Sequence, residues 1–144
     1  MDAKVIFTDI DGCLNPGLSK RWSQSSVSWY NKIIELGWQT VVSSTWRISK
    51  TVPQLQEIFL NQGVNTTIIG TTSWIIQSNE FTETKDRGLE ILEWVQLNKP
   101  IDWIVCDDRM LDIAPHIEQK RLFWIDPMSG FNENVYNQIR RYKL

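Results

Sequence analysis

Five short apolar runs, spaced along the chain by stretches of helical periodicity, restrict the fold more than any other feature. They are Lys4 to Thr8, Thr40 to Ser43, Thr66 to Gly70, Trp103 to Cys106 and Leu122 to Ile125. They are rich in β-branched and aromatic residues and show no strict alternation, the pattern of strands buried on both faces. Between them the apolar positions recur at helical spacing. Val27, Tyr30, Ile33 and Ile34 follow a Ser25 or Ser26 cap and stop at Gly37. Leu55, Ile58 and Phe59 follow Pro53 and stop at Gly63. Leu89, Ile91, Leu92, Trp94 and Val95 mark a helix over about 87–97, and Val135, Ile139 and Tyr142 mark one over 132–142. A short further helix is expected over 110–118. Strands alternating with helices predict an α/β fold, with helices on both faces of a mainly parallel five-stranded sheet.

A length of 144 residues suits one domain, 1–144, around one core. The net charge of −2 gives no support to a general polyanion-binding surface. Two scattered cysteines, Cys13 and Cys106, in a chain long enough to bury a core fit a reduced, cytoplasmic setting. The N-terminus passes straight into a strand, which argues against a secretory signal. No apolar run approaches the ~18 residues of a membrane span, so no membrane association is expected. Eight tryptophans are many for this length, and core packing accounts for most of them. Trp22, Trp29 and Trp74 are the ones to watch for stacking on a base, Trp22 and Trp74 because they fall in expected loops, with core packing the plainer reading of each.

In an open parallel sheet, ligands bind outside the carboxyl ends of the strands. The first strand delivers Asp9 and Asp11 there, the second Ser43 and Ser44, and the fourth Asp107 and Asp108. Carboxylates gathered this closely repel one another unless a cation is present. A hard divalent ion with oxygen ligands, Mg²⁺ where a phosphate joins its shell, relieves that repulsion. The one-residue spacing of Asp9 and Asp11 turns both carboxylates the same way at a strand end, while Ile10 turns into the core. Gly12 lets the backbone turn sharply behind them. The plainer readings are turn-forming for Asp9 and Asp11 and helix capping for Asp107, Asp108 and the serines. His116 reads as structural, Cys106 as buried strand, and nothing marks Cys13 as reactive.

"DIDGCLN", "VVSS" and "IVCDD" resemble, in that order, three motifs of the haloacid dehalogenase superfamily of phosphohydrolases. "SSTWR", "RGLEILEWV" and "CDD" are similar to the small branch found as phosphatase domains of RNA-repair proteins. The resemblance spans nearly the whole chain. It implies a Rossmann-like three-layer α/β/α sandwich with a minimal cap, since neither 12–39 nor 45–84 holds a further domain. By that resemblance Asp9 is the nucleophile and Asp11 the general acid and base. Mg²⁺ is held by Asp9, by Asp11 through its backbone carbonyl, and by Asp107, with Asp108 binding or orienting a metal water. Ser43, assisted by Ser44, binds the phosphoryl oxygens, and the third-motif cation is Lys85 or Arg87. Arg47, near the sheet edge, is placed to meet a substrate phosphate. The expected activity is a Mg²⁺-dependent phosphomonoesterase working through an aspartyl-phosphate on a nucleotide or a nucleic-acid terminal phosphate. The alternative classes are a phosphate-binding or regulatory domain without turnover, and a phosphotransferase to an acceptor other than water.

Overall fold

The computed structural model describes residues 1–44, 46, 49–73 and 86–143. Its centre is a five-stranded, all-parallel sheet in the order β3-β2-β1-β4-β5. The strands are β1 (Lys4–Thr8), β2 (Trp38–Val42), β3 (Ile68–Thr71), β4 (Asp102–Asp107) and β5 (Leu122–Trp124). Four helices connect and follow them: α1 (Gln24–Ile34), α2 (Val52–Asn61), α3 (Arg87–Asn98) and α4 (Glu133–Arg140).

The lack of strict alternation in the strands is explained by two cores. On one face Ile6, Val42, Ile104 and Cys106 meet Tyr30 and Ile33 of α1, Leu55 and Phe59 of α2, and Val135 and Ile139 of α4. On the other, Val5, Phe7, Val41 and Val105 meet Ile91 and Trp94 of α3, together with Ile113 and Ile117. Successive strand residues point to opposite faces, so both parities must be apolar. The result is the expected α/β/α sandwich.

The chain runs outward from β1 through β2 to β3, then returns through α3 to pair β4 with the other side of β1. The carboxyl ends of β1 and β4 therefore flank the point where strand order reverses, the place where such sheets bind ligands. Among the described residues no helix is long and apolar enough to cross a membrane.

Local chemistry moved several boundaries. Helix α1 starts at Gln24, because Ser23 rather than Ser25 or Ser26 caps it by accepting from the Ser26 N–H. Ser26 is buried and gives its hydroxyl to the Ser129 carbonyl instead. Strand β3 begins at Ile68, and Thr66 lies before it. There the Thr66 hydroxyl joins a buried chain with Thr40 and Tyr30 at 2.6 and 2.7 Å. The helix expected over 110–118 does not form, and this segment is a series of turns. Pro115 has no N–H to offer Leu111, and the Asp112 carbonyl accepts from Gly88 of α3 rather than from His116. The segment still buries Ile113 and Ile117. Trp22 lies in a loop before α1 and packs in the core, the plainer of its two readings. It is 3% exposed and packs edge-on against Phe59 and Trp46.

Candidate active site

Asp9 follows directly on β1 and is only 7% exposed. Its Oδ1 accepts from the Ile10 N–H at 2.8 Å, its Oδ2 from Arg87 Nη1 at 3.2 Å, and Ser44 adds a side-chain hydrogen bond. Ile10 is fully buried, so the chain is pinned just past the carboxylate. Burial pushes the Asp9 carboxyl above its ordinary pKa, while Arg87 and the Ile10 N–H pull it down.

Arg87 opens α3 and also donates from the same Nη1 to Asp107 Oδ2 at 2.8 Å. One guanidinium thus bridges the ends of β1 and β4. Its place is set by the start of α3, where Asp86 caps the helix and pairs with His116, and Gly88 lies against the Asp112 carbonyl. A Cβ at Gly88 would meet that carbonyl at 2.8 Å. Burial works against the charge on Arg87, but Asp107 and Asp9 outweigh it and hold the guanidinium above its ordinary pKa.

Asp107 is fully buried, and its other oxygen, Oδ1, accepts from the Arg109 N–H at 3.0 Å. Burial pushes its carboxyl up to about 7, with Arg87 opposing. Asp108 differs: its Oδ1 is buried and has no hydrogen-bond partner. Its carboxylate lies over Gly12, whose φ of +82° and missing Cβ are both required, since a Cβ there would collide with the Asp108 oxygens. The ligating atoms of Asp9, Cys13 and Asp108 all lie within 4.8 Å of one another.

Asp9, Asp11, Arg87 and Asp108 line one cleft of about 320 Å³, as the spacing of the two first-strand aspartates requires. Asp11 Oδ2 accepts from the indole N–H of Trp46 at 3.1 Å. Among the described residues the buried polar side-chain atoms without a partner are Ser43 Oγ, Thr72 Oγ1, Asp108 Oδ1 and Arg121 Nε. The first three follow the carboxyl ends of β2, β3 and β4. Unsatisfied buried polar atoms are costly, and their concentration at one edge of the sheet marks where a polar ligand belongs.

A model of the family described as the HAD domain in Swiss Army Knife RNA repair proteins matches residues 5–135. The chain belongs to this family. The stretches "DIDGCLN", "VVSS" and "IVCDD" fall at the ends of β1, β2 and β4, and the family is one of phosphatase-type chemistry. No curated protein matches the chain.

HAD-type chemistry generally uses Mg²⁺, and the residues present suit such an ion. Several carboxylates face one guanidinium, an acidic oxygen is left unpartnered, and burial has driven two carboxyls toward their protonated forms. A hard cation bound to oxygen answers all three. Cys13 stays outside the oxygen set. It is fully buried, and burial together with the surrounding carboxylates pushes its thiol well up, so it remains protonated. Among the described residues Arg87 is the cation brought to Asp9, while Lys85, Arg47 and Trp74 lie outside the described residues. Sequence reasoning missed Trp46 as the partner of Asp11. The sole local signal was its position two residues after Ser44 in "SSTW", and the contact spans 35 residues of chain.

Proposed function

We propose that the protein is a Mg²⁺-dependent phosphomonoesterase that works through an aspartyl-phosphate on Asp9. Its substrate in this reading is the terminal phosphate of a nucleotide or nucleic-acid end. The observation that carries the reading is the buried Asp9 carboxylate, held between Arg87 and the Ile10 N–H beside the unpartnered Asp108 oxygen. A carboxylate fixed in this way is a positioned nucleophile, and phosphoryl transfer depends mainly on positioning and charge stabilisation.

In the first step Asp9 attacks phosphorus. The bond from phosphorus to the leaving oxygen breaks, and Asp11 gives that oxygen its proton. The Trp46 N–H on Oδ2 leaves Asp11 Oδ1 to carry the proton. In the second step Asp11 takes a proton from water, the water oxygen bonds to phosphorus, and the Asp9–phosphorus bond breaks to release inorganic phosphate. Arg87 neutralises equatorial phosphoryl charge, with Ser43 donating its unpartnered hydroxyl to the phosphoryl group. Mg²⁺ would be held by Asp9, the Asp11 backbone carbonyl and Asp107, with Asp108 binding or orienting a metal water, and would supply further charge stabilisation to the phosphoryl oxygens. Asp107 fixes Arg87. Two free, buried thiols fit action in a reducing cytoplasm.

Phosphate release from a simple aryl phosphate in Mg²⁺ tests the mechanism against Asp9→Asn. Release by the wild type and background release by the variant are expected, and equal rates in both sink the proposal. Mononucleotides and 3′- and 5′-phosphorylated oligonucleotides then define the substrate.

A further inference from the structure

Trp124 ends β5, opposite Asp107 in the parallel register, and is 55% exposed. The other described tryptophans are buried or half-buried, and each has an aromatic ring packed against it. Among the described residues Trp124 has no ring partner. Nor is its indole loose, because Nε1–H donates to the Asp108 carbonyl at 3.0 Å. Its polar atom is thus satisfied at the ring edge, and what remains on offer is a fixed aromatic face. The ring edge is thereby fixed to the main chain of Asp108, a residue that lines the cleft.

Arg109 stands on the same rim. It is exposed and lines the cleft with Asp9, Asp11 and Asp108, and its backbone is anchored by the N–H bond to Asp107 Oδ1. Among the described residues its guanidinium has no carboxylate partner. An acidic cleft in a chain of net charge −2 repels a polyanion unless cations stand at the approach, and Arg109 is such a cation.

We propose that Trp124 and Arg109 form a subsite for the end of a nucleic-acid strand. The terminal base stacks on the Trp124 indole, and the neighbouring phosphodiester pairs with the Arg109 guanidinium while the terminal phosphate enters the cleft. This deepens the phosphatase reading and rests on it for the position of the terminal phosphate. An indole face with an arginine beside it is the general means of holding a single strand without reading its sequence.

The test is fluorescence anisotropy with the Asp9→Asn protein in Mg²⁺. The probes are fluorescein-labelled RNA and DNA oligonucleotides with a terminal phosphate, at either end, on a normal or an abasic terminal nucleoside. Trp124→Ala is expected to weaken binding of the base-bearing end by about tenfold or more and to leave the abasic end where it was. Trp124→Phe, which keeps a ring but loses the N–H, is expected to retain most of the difference. Arg109→Ala is expected to weaken both oligonucleotides relative to a mononucleotide. Equal losses on normal and abasic ends overturn the proposal, as does a Trp124→Phe protein no better than Trp124→Ala, which would make the indole merely a support for Asp108. Failure of any oligonucleotide to bind overturns it as well. Turnover of glycerol phosphate by the wild type, measured in parallel, separates the two readings. Hydrolysis without a base-dependent difference removes the subsite alone, and a base-dependent difference without hydrolysis removes the phosphatase alone.

Discussion

Strand β4 carries a buried aspartate at each end, and the fold surrounds the two in opposite ways. Asp102, at the start, directs Oδ1 to the Trp103 N–H, to Arg121 Nη1 at 2.9 Å and to the Tyr142 hydroxyl at 2.9 Å. Arg121 also donates to the Trp103 carbonyl and lies over the Trp103 ring. One carboxylate there meets one guanidinium and two neutral donors. At the far end Asp107 shares Arg87 with Asp9, and Asp108 next to it leaves an oxygen without a partner. The first arrangement is closed in charge, one acid against one guanidinium, although Arg121 Nε has no hydrogen-bond partner, and it stabilises the fold. The second sets three acidic side chains around one guanidinium and leaves an acidic oxygen without a partner. Buried acids are common to both ends, so burial by itself does not identify a site. The identifying feature is an imbalance that the protein's own side chains leave uncorrected.

That contrast can be broken from either end. The largest effect is expected at the closed end. Asp102→Ala removes the acceptor for Arg121 and Tyr142 and should cost about 3 kcal/mol of stability in denaturant titration, because it strands a mostly buried guanidinium. The activity of the protein that remains folded should be unchanged. An activity loss with full stability would reverse the assignment of the two ends. Comparable in size is Arg87→Ala, expected to lower kcat/KM for a phosphate ester by about 10²–10³-fold, the usual loss when one positioned charge donor is removed. The mirror substitution Arg121→Ala should lower stability without such a rate loss, and similar kinetics for the two variants would erase the distinction.

The smallest effect is a pH dependence of metal stabilisation. Burial raises the folded-state pKa of Asp107 to about 7, with Arg87 opposing. The stability this carboxyl contributes in metal-free protein is present below its unfolded pKa of about 4. It is lost as pH rises through about 7, because folding then requires a buried ionised carboxylate beside others. Mg²⁺ offsets that cost only where the acids are ionised. Thermal melts should therefore show a larger Mg²⁺-induced rise in Tm at about pH 8 than at about pH 5.5, the stabilisation at the higher pH approaching about 2.7 kcal/mol at a hundredfold excess over Kd. A Mg²⁺ shift of the same size at both values would detach metal binding from the Asp9–Asp107–Asp108 cluster. Asp102→Ala should keep the pH difference.

The sheet was legible because the apolar runs and helical spacings are properties of neighbouring residues. β1 and the start of α3 fell where the pattern put them. The expected helix over 110–118 failed for a local and a nonlocal reason, since Pro115 has no N–H to give and α3 claims the Asp112 carbonyl. The cap of α1 was misread because three serines lie close together and only the packing of Ser26 against Ser129 separates them. Trp22 is in a loop as its sequence context indicates, but its partners Phe59 and Trp46 are remote in the chain and were not legible there.

By itself the sequence determined the α/β class and the delivery of Asp9, Asp11, Ser43, Ser44, Asp107 and Asp108 to one edge of the sheet. A parallel strand that ends in polar residues has one direction in which to present them. Only the tertiary structure decided how those side chains share their partners. It brought Arg87 to Asp9 across 78 residues, set the Trp46 N–H on Asp11, left Asp108 with a spare oxygen and held the Trp124 face open beside it. Periodicity encodes which way a residue faces along its own strand or helix. Charge pairing and ring contacts depend on distances between segments that are remote in the chain, and those are set when the layers pack.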